Sequence, residues 1–143
     1  MKICHALRII MQPCNIFILD KNPVHRNMIR YRLISEGFRQ VSVLPSVAEF
    51  NYQVEKGCFP NFLIVDCQSI IPGQISFVEM VLKASPDTKI ILFTDIEDQN
   101  FANELLENGA TDYILKNGAN LQGLKELILN LKYMSPVNQF VRL

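Results

Sequence analysis

The chain has 143 residues, 49% of them hydrophobic and 20% charged, with 14 Lys and Arg balancing 14 Asp and Glu. That suffices for one domain with a buried core, and zero formal charge argues against a nucleic-acid or membrane-surface binder. Cys4, Cys14, Cys58 and Cys67 fit no CxxC or Cys/His spacing, so buried thiols in a reducing cytosol are expected, and no apolar run reaches the ~18 residues of a membrane span.

Residues 1–13 carry an apolar run broken by Arg8, with no small-residue cleavage site, and read as an N-terminal extension. A single domain is expected over 14–134. Its first strand-length apolar run is NIFIL (15–19), followed by a helix-period segment from Pro23 to Glu36. The next run, QVSVL (40–44), precedes a helix from Val47 to Lys56, with Ser46 and Glu49 in a capping-box pattern. NFLIV (61–65) precedes Ile75 to Ala84, KIILF (89–93) precedes Asp98 to Asn108, and DYIL (112–115) precedes Leu121 to Tyr133. Gly37, Gly57 and Gly109 each follow a helical segment, where a left-handed residue is commonly needed. Residues 135–143 contain Pro136 and read as a tail or the start of a linker.

Five strand–helix units with continuously apolar strands predict a parallel sheet covered by helices on both faces. In such a sheet ligands bind beyond the carboxyl ends of the strands. Asp20, Asp66, Thr94 and Lys116 stand at four of those five ends. Singly, such residues read as a turn former, a packed β-branched residue or a solvated charge. Together they make a cluster of two carboxylates, a hydroxyl and an ammonium. A carboxylate there can attack phosphorus, acids can hold Mg²⁺, and the lysine and hydroxyl can contact phosphoryl oxygens.

The segments ILDKN (18–22), LIVDCQ (63–68), ILFTD (91–95) and GATDYILKN (109–117) resemble the four signature segments of response-regulator receiver domains of the chemotaxis-regulator type. The resemblance implies a doubly wound (βα)5 flavodoxin-like three-layer sandwich with strand order 2-1-3-4-5. It implies that Asp66 is the phospho-acceptor, Thr94 the switch hydroxyl, Lys116 the phosphoryl contact and Tyr113 the switch aromatic. Mg²⁺ would be held by Asp20, Asp66 and the backbone carbonyl of Gln68. A histidine kinase or phosphotransfer protein would supply the phosphoryl group. A downstream protein, an output domain or a second copy in a homodimer would read residues 98–133. No contact with nucleic acid or membrane is implied, and the location is cytoplasmic.

Four departures from that pattern bear on function. Lys21 stands where the family has its second, metal-binding acid, which weakens the case for Mg²⁺ and predicts impaired phosphorylation. Pro72 and Gly73 lie two residues later than the family's Pro-Gly pair after the acceptor. Asn117 replaces the proline after the lysine, and a cis bond there would cost ~3 kcal/mol. Asp95, after Thr94, would oppose an incoming phosphate. The competing reading is a pseudo-receiver, the same fold used for phosphorylation-independent protein binding. A haloacid-dehalogenase-type phosphatase is a third, since ILDKNPV resembles its first motif. There Asn22 stands in place of the general acid, so no enzyme is expected.

Overall fold

The computed structural model describes residues 15–70, 76–116 and 120–133. The expected extension, the Pro72–Gly73 loop, Asn117 and the tail lie outside the described residues. Five strands are seen: β1 (Asn15–Leu19), β2 (Gln40–Leu44), β3 (Phe62–Val65), β4 (Lys89–Thr94) and β5 (Asp112–Leu115). They alternate with α1 (Pro23–Ser35), α2 (Val47–Glu55), α3 (Ser76–Ala84), α4 (Gln99–Glu107) and α5 (Asn120–Tyr133). All neighbouring strands pair parallel, in the order β2-β1-β3-β4-β5. This is the expected doubly wound flavodoxin-like sandwich.

Local chemistry sets the helix ends. The Asn22 side chain accepts from the N–H groups of Val24 (2.9 Å) and His25 (3.3 Å), and Pro23 fills the first helical position without losing a bond. Ser46 Oγ accepts from Glu49 N–H at 3.3 Å, as its spacing predicts. Glu36, Lys56 and Asn108 turn out to be C-caps rather than last helical residues. Asp98 likewise lies in a short 3-10 turn, Ile96–Asp98, ahead of α4.

Strand alternation divides the core into two halves. Phe17, Leu19, Leu63, Val65, Ile90 and Leu92 face α2, α3 and α4, where Phe17, Phe50 and Phe77 stack edge to face with centroids 6.5 and 5.8 Å apart. Ile16, Ile18, Phe62, Ile64, Ile91 and Phe93 face Ile29 and Leu33 of α1 and Leu124 and Ile128 of α5. These two helices are also tied by charge, with Lys125 2.7 Å and Arg32 3.2 Å from the Glu36 carboxylate. Continuous burial holds for β1, β3 and β4 but fails at the edges. Gln40 and Ser42 of β2 are exposed, and β5 is only half-buried, because an edge strand has a neighbour on one side alone. Cys67 is buried as expected, whereas Cys58 is exposed beyond α2. Among the described residues no helix is long and apolar enough to cross a membrane.

The amino end of the sheet is closed by a polar staple. Asn61 N–H donates to Asn15 O at 2.8 Å, Asn15 N–H donates to Asn61 Oδ1 at 2.8 Å, and Lys89 N–H donates to Asn61 O at 2.9 Å. Thr88 Oγ1, buried beside them, donates to Pro60 O at 2.7 Å.

Gly109 has φ +118°, and a Cβ there would sit 2.7 Å from Leu82 Cδ1. Gly37, at φ +102°, has open space where its Cβ would be. Gly109→Ala is therefore expected to cost ~1–3 kcal/mol and Gly37→Ala nearer ~1 kcal/mol, read by urea denaturation. Equal losses would remove the part assigned to Leu82.

Candidate functional site

The sheet register assembles the site. Leu19 is paired with Val65, so Asp20 and Asp66 emerge side by side past the ends of β1 and β3. Asp66 N–H donates to Leu19 O (3.0 Å) and Asp20 N–H to Leu44 O (3.2 Å), extending both ladders one step. Thr94 pairs with Leu115, and Lys116 N–H donates to Thr94 O at 2.6 Å. Three backbones are thus fixed at one rim before any side chain is considered.

Both carboxylates are buried, Asp20 at 1% and Asp66 at 4% exposure. Lys116 joins them. Its Nζ lies 3.0 Å from Asp66 Oδ1 and 3.1 Å from Asp20 Oδ2. It is also 3.2 Å from His25 Nδ1 and 5.8 Å from the centre of the Phe93 ring. Asp20 Oδ1 accepts from Asn22 N–H at 2.9 Å. Asp66 Oδ2 accepts from Ser69 Oγ at 3.4 Å, and that same hydroxyl accepts from Lys21 N–H at 2.8 Å. Gln68 lies in the 3-10 turn Cys67–Ser69, where its backbone N–H favours the ionised form of Asp66.

The charges are not balanced. Burial pushes the Asp66 carboxyl above its usual range, against the pull of Lys116 and with the repulsion of Asp20 adding to it. Burial pulls Lys116 down, but the Asp66 and Asp20 carboxylates outweigh that and leave its pKa raised. Lys116 is therefore firmly charged, while Asp66 on balance resists ionisation. Two acids and one ammonium sum to one formal negative charge.

The other sequence-predicted residues take different places. Thr94 is fully buried, and its hydroxyl donates to Asp95 O at 3.3 Å and touches the Cys67 thiol. Burial pushes that thiol up to about 11 despite the hydroxyl. Tyr113 is half-buried against the α2–α4 half of the core, and its hydroxyl accepts from Gln99 Nε2 at 2.9 Å. The Lys21 residue is exposed, so of the two orientations open from sequence its side chain takes the solvent-facing one. Arg26 donates to the backbone oxygens of Asp20 (3.2 Å) and Lys21 (3.3 Å), clamping this turn. Asp95 is half-buried and lines a cleft with Lys116.

Sequence reading missed His25, Ser69 and Gln99. His25 had a usable signal, since a cap at Asn22 fixes it as the third helical residue, four before the apolar Ile29. Ser69 and Gln99 had none, because their partners are set by loop geometry.

The raised pKa of Asp66 carries a sign. Its ionisation costs folded-state stability at neutral pH, and the cost disappears as pH falls below the unfolded value of 3.8. Asp66→Asn should raise the melting temperature by a few degrees at pH 7, with the gain shrinking toward pH 4. A lower melting temperature at pH 7 would show that the pairing with Lys116 outweighs desolvation.

A family model described as the response regulator receiver domain matches residues 16–128. The oxygen regulatory protein NreC of Staphylococcus carnosus is 32% identical over 93 residues, which is 57% of this chain and 42% of that protein. The response regulator GacA of Pseudomonas aeruginosa is 27% identical over 125 residues, 85% of this chain and 58% of that protein. The chain thus spans less than two thirds of either relative. A CheY-like receiver domain protein from Methanospirillum hungatei superposes with a TM-score of 0.70 at 24% identity, over 83% of this chain and 93% of that one, a likeness of fold. With the sheet order, the rim of acids and the lysine between them, this match over most of the chain establishes that it belongs to the response-regulator receiver domains of two-component signalling.

Proposed function

We propose that the domain accepts a phosphoryl group on Asp66 and does so slowly, because its site is poor in acids. The observation that carries this reading is the Lys116 ammonium lying 3.0 Å from Asp66 and 3.1 Å from Asp20. A carboxylate oxygen of Asp66 attacks phosphorus. The new P–O bond forms as the bond to the donor breaks, and the donor leaves with that electron pair. Phosphorylation brings ~1.5–2 negative charges. Lys116 is the cation already in place to meet them. The Thr94 hydroxyl, now on Asp95 O, would turn to a phosphoryl oxygen. Tyr113 would then leave Gln99, and the face made by α4, β5 and α5 would change for a downstream partner.

Mg²⁺ fits this donor set badly. Asp20 and Asp66 are the acids at the rim, Lys116 already spans them, and the next residue along the chain is a lysine. A histidine kinase or phosphotransfer protein is the donor that this chemistry suits. The pseudo-receiver alternative draws support from the same shortage of acids. The phosphatase reading is disfavoured because Asn22, whose side chain caps α1, is an amide with no acidic proton to give where that chemistry needs a general acid.

Acetyl phosphate with Mg²⁺, followed by intact mass, should add one phosphoryl group slowly to the wild type and none to Asp66→Asn. Beryllofluoride binding should follow the same order. A wild type inert to both reagents would leave the pseudo-receiver reading standing. Lys21→Asp restores an acid at the rim and should tighten Mg²⁺ binding and speed incorporation by about tenfold or more, the scale on which metal-site residues act. No gain from Lys21→Asp would mean that Lys21 is not what slows the site.

A further inference from the structure

We propose that His25 is a positioning residue for Lys116, a neutral tether that aims its ammonium at the group carried by Asp66. The proposal rests on the phospho-acceptor reading for its purpose but not for its contact.

The contact follows from donor counting. A lysine ammonium has three N–H donors and no acceptor. At 3.2 Å from Lys116 Nζ, His25 Nδ1 must therefore accept, which places the ring proton on Nε2. A second N–H is donated to Asp20 Oδ2 at 3.1 Å. One N–H is left for Asp66. Its Oδ1, at 3.0 Å, is the nearest charge to the ammonium and takes that third contact. Lys116 is thus held by aligned bonds from two sides that are not the acceptor.

The chain places His25 there by design of the helix start. Asn22 caps α1 and accepts the His25 N–H, fixing His25 as the third helical residue. Ile29, one turn on, is buried against the sheet, so His25 lies on the inward side of α1 above the strand ends. It lines a cleft of about 260 Å³ shared with Met28, Phe93 and Lys116. His25 is also 4.0 Å from Asp20 Oδ2, so all three groups meet at one point. A carboxylate in this place would hold Lys116 as well, but would repel the incoming phosphoryl group. An imidazole acceptor tethers the ammonium without adding that charge.

The test uses the full chain with His25→Leu and His25→Asn, whose Oδ1 falls near the position of Nδ1. His25 is 45% exposed, so both variants should fold, and melting temperature checks this. The first readout is exchange of the Lys116 ammonium protons with water, by ¹⁵N NMR. Exchange should speed about tenfold or more in His25→Leu, as for loss of one hydrogen bond to a charged group, and return to within about twofold in His25→Asn. The second readout is incorporation from acetyl phosphate, which should fall in His25→Leu and recover in His25→Asn. Unchanged exchange in His25→Leu overturns the proposal, as does equal acceleration in both variants. A wild type that incorporates nothing counts against the phospho-acceptor reading alone, because the exchange arm still decides the tether.

Discussion

One buried ammonium holds the carboxyl rim of this domain together. Asp20 and Asp66 are both cut off from water, and two carboxylates in such a place repel each other and lose hydration. Lys116 offsets both effects from a third strand. The raised pKa values of Asp66 and Lys116 describe the two sides of that arrangement. The lysine gains from two acids, whereas Asp66 is left with a net cost of ionisation. Every other group at the rim adjusts around this triad: Ser69 and Gln68 brace Asp66, Asn22 braces Asp20, and His25 braces the lysine.

The central strands and their ends were readable from sequence because burial on both faces leaves a simple trace, an unbroken apolar run closed by a polar residue. In a parallel sheet that trace fixes direction as well as position. Asp20, Asp66 and Lys116 could therefore be brought together on topology alone. The edges were less readable. QVSVL was expected to be buried throughout, but Ser42 faces solvent, since an edge strand alternates where a central one does not. Helix ends shifted by one residue wherever a cap was counted as part of the helix.

What sequence left open was direction. Lys21 could have entered the pocket or left it, and no periodicity distinguishes the two for a long flexible side chain. The turn decides the backbone, with Lys21 N–H bonded to Ser69 and its carbonyl to Arg26. The Thr94 hydroxyl had two kinds of partner within reach, and in this state it meets the loop carbonyl and the Cys67 thiol. The tyrosine latch to Gln99 depends on how α4 leaves its 3-10 turn, a geometry with no mark in composition.

The polar staple at the opposite rim has a consequence for how such a domain can change over generations. Asn15, Asn61 and Lys89 lock three strands at their amino ends with short backbone bonds, and Thr88 seals the corner beneath them. Cohesion at that floor does not depend on which charges stand at the far side of the sheet. Charges at the carboxyl rim can thus be exchanged while these amino-end bonds keep the strands in register. A lysine at position 21 is what such freedom permits.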